Sequence, residues 1–122
     1  MKNLISIVEI PTADFPRAVK FYQAILNISI EETDMQGTRM GLFPSDGEAV
    51  SVVLINGEGY MPGPEGATVY LYAGDDLTTM LNKVEPHGGK IIIPKTEISP
   101  EIGFFAIFTD TEGNKLGLHS AR

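Results

Sequence analysis

A chain of 122 residues, 43% hydrophobic and 20% charged, fits one domain and can fill a core of its own. It contains no cysteine, which excludes disulfides, zinc–thiolate and iron–sulfur centres and cysteine nucleophiles. Sixteen acidic residues against nine scattered basic ones, a formal net charge of −7, argue against nucleic acid, whose phosphates need clustered Lys and Arg.

The N-terminus, Met1-Lys2-Asn3, runs into a short alternating segment with no signal-peptide apolar core, and no apolar run reaches the length of a membrane span. The expectation is a cytoplasmic protein that meets neither membrane nor nucleic acid. Leu4–Ile10 reads as the first strand. The first helix opens at Asp14, an N-cap residue, with Pro16 tolerated in its first turn. Its apolar stripe is Phe15, Ala18, Val19 and Tyr22, continued by Ile25 and Leu26 at helical spacing. Three strand-like segments follow, Ser29–Thr33, Thr38–Phe43 and Val50–Ile55, with a Ser45-Asp46-Gly47 turn before the last. The stretch "NGEGYMPGPEG" is rich in Gly and Pro without periodicity, and residues 57–66 are read as a linker.

The second half repeats the first. A strand at Thr68–Ala73 precedes a helix expected to open at Asp75-Asp76, to carry Leu77, Met80, Leu81 and Val84, and to stop at Pro86-His87-Gly88-Gly89. The cap and the four stripe positions recur at a single offset of 62 residues. Strands at Lys90–Pro94, Gly103–Thr109 and Lys115–His119 follow, the last two joined by Thr111-Glu112-Gly113. Each half is therefore βαβββ, with module one at 1–56 and module two at 67–122. One helix covers only one face of such a sheet. The two free faces can form an α+β cup of eight strands, a concavity suited to small molecules.

The repeat, the segment "ADFPRAVKFYQAILN" and the terminal "GFFAIFTDTEGNKLGLHS" resemble the vicinal oxygen chelate superfamily of glyoxalases, bleomycin-resistance proteins and extradiol dioxygenases. The resemblance covers essentially the whole chain. It implies the cup fold and homodimers. It also implies metal ligands seven residues before each helix-opening Asp and four after each turn Gly. Here those positions are Ile7, Val69, Ser51 and Gly117, with Tyr70 in place of Val69 if one residue is inserted around Gly74. None supplies a good ligand for a divalent metal, so no cofactor is expected.

Alternation places Glu9 on the face of Ile7 and His119 on the face of Gly117, so both are candidates for the cup, as a general acid/base pair or a two-ligand metal remnant. Arg39, which interrupts an apolar strand, is a candidate anion anchor, and Tyr72 and Phe104 are candidate aromatic walls beside Gly117. Each has a plainer reading: a solvated strand end for Glu9, a terminal surface group for His119, the outer face for Arg39, and core for the aromatics. Lys95 falls in "PKTEISPEIG", read as a loop able to cover the pocket. His87 belongs to the helix stop. No Gly-x-Ser-x-Gly or phosphate loop is present, and Ser120 points away from His119. Three functions remain: a metal-independent small-molecule binder, a lyase or isomerase on a small carbonyl or polar compound using Glu9 and His119, and a dimeric interaction module.

Overall fold

The structure, a computed structural model, describes residues 5–45 and 50–122; the Asp46-Gly47 part of the expected turn lies outside them. The elements run β1 (Ile7–Pro11), α1 (Phe15–Leu26), β2 (Glu31–Met35), β3 (Thr38–Leu42), β4 (Ser51–Asn56), β5 (Val69–Tyr72), α2 (Thr78–Val84), β6 (Lys90–Ser99), β7 (Gly103–Thr109) and β8 (Lys115–Ser120). Two βαβββ modules give two four-stranded sheets, ordered β1-β4-β3-β2 and β5-β8-β7-β6. In each, the first strand runs parallel to the last, and the remaining pairs are antiparallel.

Alternation divides every strand between a helix-covered face and the cup face. Ile10, Leu54, Leu71, Ala106, Phe108, Leu116 and Leu118 face the helices and join Phe15, Phe21, Tyr22, Ile25, Leu77 and Val84 in one apolar cluster spanning both modules. Ile7, Glu9, Ser51, Val53, Tyr70, Tyr72, Gly117 and His119 stand at the opposite parity.

α1 forms as its sequence dictates. The Asp14 side chain accepts a hydrogen bond from Arg17 N, Pro16 occupies the first turn, and Asn27 ends the helix in the left-handed conformation. α2 is shorter than expected and does not start at Asp75-Asp76. Asp76 instead accepts from Thr78 N two residues on, a turn outside the helix, while Leu77 N is held by Ser120 Oγ at 3.0 Å. β6 also departs from expectation, continuing through Pro94 to Ser99. The proline is tolerated because β6 is an edge strand, and its pairing with β7 slips in register three times. The "PKTEIS" stretch is thus strand rather than cover.

The β7–β8 turn, Asp110 to Asn114, ties the modules together. Asp110 Oδ2 accepts from Tyr22 Oη at 2.7 Å, and Oδ1 accepts from the backbone of Glu112 and Asn114. Glu112 Oε1 accepts from Ala13 N and Asp14 N at 2.8 and 2.6 Å, and Arg17 grips the same carboxylate through Nε and Nη2. Asn114 Nδ2 donates to Pro11 O. Module two thereby satisfies backbone groups at the corner where α1 begins. Burial, followed by the Asp110 carboxylate, pushes the Tyr22 phenol well above its ordinary range, so it remains a donor. Tyr22→Phe is expected to cost about 1–3 kcal/mol in urea unfolding, the range for a buried hydrogen bond to a charged group.

Candidate functional site

The cup floor is built by two strand pairs. Ile7 stands beside Ser51, and Tyr70 beside Gly117. The equivalence of these pairs shows that Tyr70, not Val69, holds the module-two position. Val69 packs against the core under the sheet. The expected insertion around Gly74 is not there: α2 is capped at Leu77 rather than Asp76, and Tyr70 stands seven residues before that cap, as Ile7 stands seven before Asp14. The four side chains are thus an aliphatic group, a hydroxyl, a phenol and none. They lack the imidazole and carboxylate donors of a first-row divalent ion, and among the described residues no three His, Cys, Asp or Glu cluster to hold one. The residues present do not fit such a metal.

Gly117 leaves space for Tyr70. A Cβ there would run into the Cδ2 and Cε2 atoms of the Tyr70 ring, which therefore lies across the glycine. That ring meets Phe105 edge-on, centroids 6.4 Å apart. Tyr72, on the same face, is 73% exposed, and Ile7 is 60% exposed. The floor is therefore an apolar, aromatic surface open to solvent.

His119 sits beside Tyr72 and opposite Phe105. Its Nε2 lies 2.7 Å from the carbonyl oxygen of Ile102; a carbonyl only accepts, so Nε2 carries the proton and donates. Glu9 lines a cavity of about 360 Å³ at the seam between the modules, below the 61–67 strap; His119 is not among its walls. The two residues share the cup parity, and His119 does not line the cavity of Glu9.

Two expectations are corrected. Arg39 is on the outer face: its guanidinium lies 4.6 Å from the centroid of the Phe15 ring, with Glu32 at 3.8 Å, so it anchors nothing in the cup. Phe104 also faces the helix side, packed against the core, with Lys95 Nζ above its ring at 4.8 Å and 2.9 Å from Asp76. The aromatic wall of β7 is Phe105, which sequence reasoning missed. Parity was the available signal, because Ala106 and Phe108 continue the alternation of Phe104 into the core. His87 is exposed, its Nδ1 2.8 Å from Lys83 O, and acts as part of the helix stop.

The Glyoxalase/Bleomycin resistance protein/Dioxygenase superfamily model matches residues 4–118. The chain belongs to this superfamily. A glyoxylase-like domain-containing protein of Didymella fabae is 33% identical, the match covering 90% of this chain and 88% of the relative. A putative glyoxylase, CFP32, of Mycobacterium bovis is 28% identical; 93% of this chain matches only 44% of that protein, so the chain spans less than half its length. Among solved structures, likeness of fold extends to a Frankia glyoxylase/bleomycin resistance protein/dioxygenase domain, with a TM-score of 0.76 at 16% identity, over 100% of this chain and 93% of that one. It extends also to TnmS3, an antibiotic-binding protein from Streptomyces, with a TM-score of 0.68 at 22% identity, over 97% and 95%. Maize glyoxalase I gives 0.75 at 16% identity, over 95% of this chain but 44% of that enzyme. At these identities the structural likeness shows the fold alone. Among the described residues no helix is long and apolar enough to cross a membrane.

Proposed function

We propose that this superfamily member binds a planar, largely apolar small molecule on its cup floor without using the metal positions of its relatives. The observation that carries the reading is the floor itself: Tyr70 and Tyr72 are exposed on the strand beside Gly117, with Phe105 against Tyr70, and Ile7 is exposed at the matching position of module one. An uncharged or cationic ligand suits the net charge of −7. The binding of an antibiotic by TnmS3 supports the class by analogy of fold only. The lyase or isomerase reading loses its main support, because His119 spends Nε2 on Ile102 away from the Glu9 cavity.

Nile red, a neutral planar dye, tests the floor. It is expected to bind one per chain, and Tyr72→Ala is expected to weaken binding at least about fivefold, as loss of an aromatic contact does. Binding that ignores Tyr72→Ala, or no binding, overturns the reading, as does a stoichiometric zinc, nickel, manganese or iron retained on purification.

The chain is also proposed to form a homodimer in the cytoplasm. Membership of a superfamily whose cups are often completed across a two-fold axis supports this. Light scattering is expected to give twice the chain mass; a monomer at tens of micromolar sinks this part.

A further inference from the structure

We propose that the seam cavity is a second binding site, for a small organic cation with an apolar body, such as a primary ammonium or guanidinium compound. It is lined by β1, β5, the start of β8 and the 61–67 strap, and its volume of about 360 Å³ lies in the range of small-molecule sites. Ile10, Val69, Leu116 and Pro62 provide apolar wall; Glu9, Glu65 and Lys115 provide charge. Two carboxylates against one ammonium leave the cavity negative, in a chain already at −7. An anion is disfavoured there and a cation is drawn in.

The state of these carboxylates separates them from the structural ones. Glu112, Asp110 and Asp76 each accept several hydrogen bonds or an ion pair that holds the fold. Neither Glu9 nor Glu65 is tied by a hydrogen bond or ion pair to any described residue, and Lys115 pairs with neither. Both residues are exposed to solvent at the mouth of the cavity and keep their acceptor capacity for a ligand, while the apolar side chains of the same lining offer a wall for its body.

The boundary is rigid on one side and loosely held on the other. Asn114, fixed on Asp110 and Pro11, accepts from Gly63 N at 3.0 Å through Oδ1. Gly59 and Gly66 flank that tie at φ +93° and +97°.

Phenethylamine, phenethyl alcohol and 3-phenylpropionate test the site by calorimetry, as cation, neutral isostere and anion on one apolar body. Phenethylamine is expected to bind at least about fivefold tighter than the alcohol, the carboxylate not at all, and Glu9→Gln is expected to remove the preference. Glu65→Gln serves as the second variant, with unchanged melting temperatures showing that both fold. Equal affinity for amine and alcohol, insensitivity to both substitutions, or no binding of the amine overturns the proposal. The outcome is independent of the cup floor: Tyr72→Ala is expected to leave phenethylamine binding unchanged and Glu9→Gln to leave Nile red binding unchanged, so each site can fail alone.

Discussion

Glu112→Ala is expected to lower stability by about 3 kcal/mol, a large share of what a domain of this size possesses. The side chain has no exposed surface, and its oxygens receive Ala13 N, Asp14 N, Arg17 and the Thr111 hydroxyl. Removing it orphans two N–H groups at the start of α1, each costing about 1–3 kcal/mol if left dry. Arg17→Ala removes two donors from the buried carboxylate and should cost about 1.5–3 kcal/mol, the range for hydrogen bonds to a charged group, with the two amides and Thr111 still holding the other contacts.

The same contacts make the fold acid-sensitive. Burial pushes the Glu112 carboxyl up, but Arg17, the Asp14 and Ala13 amides and Thr111 outweigh it and bring it down to about 2, from an ordinary 4.5. A depressed acid binds fewer protons folded than unfolded, so its contribution is complete above pH about 4.5 and disappears as pH falls towards 2. Chemical unfolding across that window should show the wild type losing stability more steeply than Glu112→Gln. Parallel slopes would deny the carboxylate this role.

Gly103→Ala is expected to cost at least about 3 kcal/mol or to prevent folding, as read by circular dichroism and urea midpoint. Gly103 opens β7 at φ +104°, where an L side chain is strained, and a Cβ would run into the backbone oxygen of Ser120. Two penalties coincide, and neither neighbour is a side chain able to rotate. Gly117→Ala is the control. There the obstruction is the ring of Tyr70, 49% exposed and free to swing off, so about 1 kcal/mol is expected, with Tyr70 more exposed.

The two modules and α1 were legible because each signal is local: a cap at Asp14, a 3.6-residue stripe and a repeat at one offset. What was not legible depends on partners distant in sequence. Asp75-Asp76 offers two good caps, yet Ser120 on β8 and Lys95 on β6 decide where α2 begins. Pro94 reads as a strand end unless one knows that β6 is an edge. Phe104 and Phe105 are adjacent aromatics that only the parity of Ala106 and Phe108 tells apart, and Arg39 is assigned outward by its neighbour Gly41, whose Cβ would meet Ile30 and Phe15. Glu112 looked like an ordinary polar turn residue, since nothing near it in sequence announces the amides it serves across the fold. Alternation put Glu9 on the face of Ile7, whereas the strap over Glu9 was invisible in a stretch without periodicity.

The contacts of that turn also fix an order of events. Ala13, Asp14 and Arg17 find Glu112 between 95 and 99 residues later in the chain. During synthesis the first module must leave the ribosome with the amides at the α1 corner bare and Tyr22 without its acceptor, until Asp110 and Glu112 have emerged. The locking of the first module therefore waits on the second, whose β7–β8 turn acts as the latch of the α1 corner.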